Sequence, residues 1–121
     1  MKKKILVVDD DIEIGILIRD ILASLDHEVI IAQDGLQAIK KTKEAPIDLI
    51  LLDIRMPFFS DLFFCDAFKQ RPQTKHIPVV VVSALTSEED IKKAYDRGAC
   101  AYLKKPFQSH ELIEIVGKIL R

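Results

Sequence analysis

Five short apolar runs punctuate the chain, at 5–8, 29–32, 49–52, 79–82 and 101–103. They are solid runs, dominated by Val, Ile and Leu, with no polar alternation. That pattern predicts parallel strands covered on both faces. Between the runs the apolar spacing becomes helical. Ile14, Leu17, Ile18, Ile21, Leu22 and Leu25 recur at three- and four-residue steps over 12–25. Asp34-Gly35 leads into a helix containing Leu36, Ile39 and Lys40, which Pro46 ends. A helix over about 60–70 carries Phe64, Ala67 and Phe68 on one face, with Pro72 just beyond it. Over 86–97, Thr86 and Glu89 are spaced as a capping box, and Gly98 stands where a helix stop is expected. The last helix, over 109–120, is expected to bury Leu112, Ile115, Val116 and Ile119.

Strand and helix thus alternate five times. Short links between them predict an α/β fold, a three-layer (βα)5 sandwich around a parallel five-stranded sheet with right-handed crossovers. No repeat, low-complexity segment or linker interrupts the pattern, so residues 1–121 are expected to form a single domain.

Composition narrows the function classes. The net charge is −1, with 49% hydrophobic and 31% charged residues. This balance gives no basic excess for nucleic acid. The Lys2-Lys3-Lys4 run reads as a solvated strand entry. Cys65 and Cys100 have neither metal-site spacing nor companion histidines, and both are expected to be reduced and packed. No stretch approaches the ~20 apolar residues of a membrane span, and no leader pattern is present, so the expected compartment is the cytoplasm.

In open parallel sheets, ligands bind beyond the carboxyl ends of the strands. Asp9, Asp10 and Asp11 follow the first strand, Asp53 the third, Ser83 closes the fourth, and Lys105-Pro106 follows the fifth. Carboxylates gathered at one edge repel each other, and a hard divalent cation relieves that repulsion. A hydroxyl and a primary amine then suit the oxygens of a phosphoryl group, and one carboxylate can serve as nucleophile. Each residue also has a duller role. Asp10 with Glu13 resembles a capping box, Asp53 could be a turn residue, and an aromatic such as Tyr102 is common in an edge strand.

Four segments, taken in order, resemble the receiver domains of two-component response regulators. They are Ile5-Leu6-Val7-Val8-Asp9-Asp10, Leu51-Leu52-Asp53-Ile54-Arg55-Met56-Pro57, Val82-Ser83-Ala84, and Tyr102-Leu103-Lys104-Lys105-Pro106-Phe107. The resemblance covers essentially the whole chain. It implies the flavodoxin-like strand order 2-1-3-4-5, Asp53 as phosphoacceptor, and Mg²⁺ held by Asp9, Asp10, Asp53 and the backbone carbonyl of Arg55. It further implies that Ser83 and Lys105 hold the phosphoryl group, that Tyr102 is the aromatic switch residue, and that the Lys105–Pro106 bond is cis. The implied partners are a sensor histidine kinase or phosphotransfer protein upstream, and a downstream protein target or fused effector. No direct nucleic-acid or membrane contact is implied, and a phosphorylation-dependent dimer through the last helix is left open. The implied role is a switch rather than a turnover enzyme.

The chain departs from the family pattern after Pro57. Phe58-Phe59-Ser60-Asp61 lacks the usual glycine, and Phe63 replaces a usual acid. Phe58 and Phe63 are candidates for a partner-docking patch. Arg55 and Leu85 suit poorly the task of positioning an attacking water, which predicts a long-lived phosphoaspartate. Three alternatives compete. A Mg²⁺-dependent phosphohydrolase would need a second acid where Arg55 stands. A degenerate receiver would dock partners without phosphorylation. A nucleotide-binding flavodoxin-like protein would need a Gly-rich phosphate loop, which is missing.

Overall fold

A computed structural model describes residues 2–54, 61–85 and 87–120, with the backbone alone for 61–64. The order is β1 (Lys4–Val8), α1 (Ile12–Ala23), β2 (Glu28–Ala32), α2 (Gly35–Glu44), β3 (Leu49–Leu52), α3 (Asp61–Gln70), β4 (Val79–Ser83), α4 (Glu88–Asp96), β5 (Ala101–Lys104) and α5 (Ser109–Ile119). The strands form one parallel sheet in the order β2-β1-β3-β4-β5. This is the expected three-layer architecture.

The solid apolar runs have a direct explanation. Successive strand residues point to opposite faces, and both faces are covered. Leu6, Val8, Ile50, Leu52, Val79 and Val81 pack on one side with Ala38, Cys65, Phe68 and Ala94. Ile5, Val7, Leu49, Leu51, Val80, Val82 and Leu103 pack on the other with Ile18, Leu22, Leu112 and Val116. Removing a side chain such as Phe68, which is fully buried, would leave a cavity costing ~3–5 kcal/mol.

Several local expectations shift. α1 ends at Ala23, and Leu17 and Leu25 are exposed rather than part of the packed stripe. Leu36 is 73% exposed, so α2 packs through Ala38 and the half-buried Ile39 instead. The cap of α4 is Ser87, not Thr86. The Ser87 hydroxyl accepts from the Asp90 amide at 3.0 Å, one residue later than the Thr86–Glu89 spacing suggests. Gly98 does stop the helix, with φ +105, a conformation that glycine adopts without penalty. Cys65 is buried and reduced, and burial pushes its thiol up to about 11. Cys100 is also reduced, but exposed rather than packed. Ile115 and Ile119 are half-buried, while Leu112 and Val116 of the same helix are fully buried.

Candidate phosphoryl-acceptor site

Strand register builds the site. Val8 pairs with Leu52 across β1 and β3, so Asp9 and Asp53 leave the sheet side by side. The Asp9 amide donates to the Ala32 carbonyl at 3.0 Å, and the Asp53 amide to the Val8 carbonyl at 2.9 Å. Ser83 pairs with Lys104 across β4 and β5. The Lys105 amide donates to the Ser83 carbonyl at 2.9 Å, which turns its side chain's base toward the same edge. The Lys105–Pro106 bond is cis, as the resemblance implies.

The three N-terminal aspartates divide their work. Asp11, not Asp10, caps α1: its carboxylate accepts from the Glu13 amide at 3.0 Å. Asp9 is 4% exposed and accepts from the Asp11 amide at 2.9 Å. Asp10 is exposed, and it stands in the acid cluster rather than at the cap. Carboxylate oxygens of Asp9, Asp10 and Asp53 all lie within 4.8 Å of one another. Asp53 is 5% exposed.

Lys105 balances this charge. Its Nζ lies 2.7 Å from Asp9 Oδ2 and 3.2 Å from Asp53 Oδ2, with the side chain 14% exposed. Burial alone would lower its pKa; the hydrogen bond that its ammonium donates to Asp9 and the charges of Asp53 and Asp9 outweigh that and raise it. Lys105 is therefore a firm cation between two nearly buried carboxylates. Among the described residues, three acids against one lysine leave net negative charge at an oxygen-rich edge. That donor set fits a hard divalent ion such as Mg²⁺, which takes oxygen ligands and keeps several waters.

Ser83 is fully buried at the end of β4. Its hydroxyl accepts from the Leu85 amide at 3.1 Å. The Tyr102 hydroxyl donates to the Leu85 carbonyl, so Leu85 links the two switch candidates. Burial raises the Tyr102 phenol above its ordinary value, with Ser83 as the main offset. The structure thus brings Asp9, Asp10, Asp53, Ser83 and Lys105 to one edge, with Tyr102 one link away. Arg55 and Phe58 lie outside the described residues, as does the side chain of Phe63.

One neighbouring feature escaped the sequence reasoning. Ile14, Leu17, Ala84, Pro106 and Phe107 line an apolar cleft of about 250 Å³ that Lys105 also borders. Its only sequence signal was Phe107 following Pro106, which reads equally well as core.

The comparisons with known proteins agree with this geometry. The family model for the response regulator receiver domain matches residues 5–117. The transcriptional regulatory protein CpxR of Escherichia coli is 40% identical over 98% of this chain and 49% of its own length. The chain thus spans about half the length of such curated relatives. The chemotaxis protein CheY4 of Vibrio cholerae superposes with a TM-score of 0.92 at 31% identity, covering 99% of this chain and 100% of that one. The receiver domain of sensor histidine kinase PA1611 from Pseudomonas aeruginosa, solved with magnesium in its active-site cleft, gives a TM-score of 0.88. It is 26% identical and covers 99% of this chain and 98% of that one. With the fold, the strand order and the acidic pocket all in agreement, this chain belongs to the response regulator receiver domain family.

Proposed function

We propose that Asp53 accepts a phosphoryl group from a phosphohistidine on a sensor kinase or phosphotransfer protein, and that the resulting phosphoaspartate switches a partner-binding face. The observation that carries this reading is the acid cluster at the strand ends, bridged by Lys105. A carboxylate oxygen of Asp53 attacks phosphorus as the P–N bond to the donor imidazole breaks. The imidazole keeps the electron pair and takes a proton from solvent, and an acyl phosphate forms. Lys105 is already 3.2 Å from Asp53 and can follow the phosphoryl oxygens. Ser83 would exchange the Leu85 amide for the phosphoryl group, as hydroxyl donor. Asp9, Asp10, Asp53 and the Arg55 carbonyl would hold Mg²⁺. When bound, the ion supplies neutralisation of charge on the transferring group.

The domain is a switch, not an enzyme with turnover on an external substrate. Phosphorylation adds about −2 charge beside Ser83. Movement of Ser83 would pull on Leu85, and through it on Tyr102 and the start of α4. The readout face is α4, β5 and α5. There Tyr102, Lys104, Glu111, Glu114, Ile115 and Lys118 border an open groove of about 330 Å³. The donor would dock over the apolar cleft beside Lys105, with exposed Ile12, Ile16 and Leu17 extending it along α1. The alignment to CpxR, which runs over 98% of this chain, supports residues 1–121 acting as one receiver unit, coupled to a fused effector or a separate target. A cytoplasmic location suits the two reduced thiols.

The test is direct. Incubation with Mg²⁺ and an acyl phosphate or phosphoramidate should add one phosphoryl mass, lost in Asp53→Asn. Absence of any adduct would favour a docking module, and an adduct persisting in Asp53→Asn would remove the site assignment.

A further inference from the structure

α4 is anchored unevenly. Of its nine residues, Ala94 is buried and Ile91 half-buried, while Glu88 and Glu89 face solvent. The buried end is also the tied end. Asp66 of α3 pairs with the guanidinium of Arg97, the C-cap of α4. Its neighbour Cys65 donates its thiol hydrogen to the Arg97 carbonyl at 3.3 Å. Lys69, one turn along α3, lays its stem over Gly98 so closely that a Cβ there would meet Lys69 Cγ at 2.9 Å. The Lys69 ammonium continues to the Ile77 carbonyl at 2.8 Å. Ala99 donates back to Ala94 at 3.1 Å, and Cys100 to Val79 of β4 at 2.9 Å.

The other end is held differently. The Ser87 cap is local to α4. Leu85 makes the outside ties, through its amide to Ser83 and its carbonyl to Tyr102. Among the described residues, no other hydrogen bond or ion pair runs from 84–91 to another element. These two ties are the ones a charge at Asp53 would disturb.

We propose that the α3–α4 contact is a pivot, in which Cys65, Asp66 and Lys69 hold the C-terminal end of α4 in place while its N-terminal end swings on the Ser83–Leu85–Tyr102 links. The role of this pivot in signalling rests on the phosphorylation-switch reading above. At 1.5 Å rise per residue, α4 spans about 12 Å, so a tilt of ~10° displaces its first turn by ~2 Å. The last turn stays in register with β5. Phosphorylation would therefore reshape the half of the readout face nearest Leu85 and spare the half nearest Arg97.

Amide hydrogen exchange by mass spectrometry on the full chain tests this without a phosphodonor. Tyr102→Phe should speed exchange at 85–91 and leave 97–100 unchanged. Asp66→Ala combined with Lys69→Ala, both partly exposed positions, should do the reverse, with about fivefold faster exchange at 97–100. Equal effects of Tyr102→Phe at both ends, or no effect of the double variant at 97–100, would overturn the pivot. After donor treatment, with the adduct confirmed by mass, changes should concentrate at 83–91 in the parent protein and spread to 94–100 in the double variant. Failure to form the adduct would sink the switch reading alone, because the two variant comparisons decide the pivot without it.

Discussion

Replacing Lys105 by Met keeps much of its length and removes its charge from between two nearly buried carboxylates. At an effective dielectric of about 20, contacts of 2.7 and 3.2 Å correspond to gross attractions of roughly 6 and 5 kcal/mol. Relief of the amine's own desolvation offsets a large share. The net loss for breaking a buried pair is ~3–5 kcal/mol, and Asp9 and Asp53 would then repel each other and Asp10 unscreened. For a domain whose total stability is about 5–15 kcal/mol, Lys105→Met should still fold, with a clearly lower urea midpoint in EDTA. Magnesium should reverse much of this. An ion at 100 times its Kd stabilises the folded state by about 2.7 kcal/mol. The variant should also bind the ion more tightly than the parent, since no ammonium then competes for Asp9 and Asp53. Urea titrations of both proteins, with EDTA and across a magnesium series, read out both effects. If Lys105→Met lowered stability equally with and without magnesium and left the ion's apparent affinity unchanged, the amine would not be what neutralises this cluster.

Four further outcomes follow from the geometry. Ser87→Ala should cost ~1 kcal/mol in chemical denaturation, whereas Thr86→Ala should cost little, because Ser87 holds the cap. Burial, with neighbouring positive charge, lowers the His27 pKa, and its Nδ1 accepts the Lys3 amide. The unfolded chain therefore takes up this proton first as pH falls. Stability should drop as pH falls through about 6.5 toward the lowered folded value, and the drop should be shallower in His27→Gln. Lys105 has the opposite sign: its raised pKa stabilises the fold fully below the ordinary lysine value of 10.5, and that contribution is lost as pH rises through the folded value. Alkaline unfolding should therefore differ less from neutral unfolding in Lys105→Met. Finally, the Asp53 adduct should be long-lived, because Leu85 offers no group to orient water. Leu85→Glu should hasten its loss, toward the ~10²-fold a positioned proton acceptor supplies, measured as phosphoprotein decay after donor removal.

The sequence by itself determined the layers and the edge where chemistry could occur. Solid runs such as 49–52 and 79–82 can be satisfied only by burial on both faces, and helical spacing between them forces crossovers. Acids, hydroxyl and amine at successive strand ends then had to share one edge, whatever the loop details. These are local periodicities, readable one segment at a time.

What the tertiary structure decided is how like residues differ. Three consecutive aspartates are equivalent in sequence. The backbone path makes Asp11 the cap, buries Asp9 against Lys105 and leaves Asp10 exposed in the cluster. The Lys105–Asp9 contact joins residues 96 apart, and only the parallel register of β1, β3, β4 and β5 closes that distance. Ser87 caps α4 because its extended backbone brings its hydroxyl to the Asp90 amide, while Leu36 faces solvent and Cys100 is exposed because neighbouring elements leave those two positions uncovered. Likewise, the grip of α3 on Arg97 and Gly98 depends on two helices meeting, which no single segment encodes. Long-range packing chooses among locally equal options, and at this site that choice separates a helix cap from the acids around Asp53.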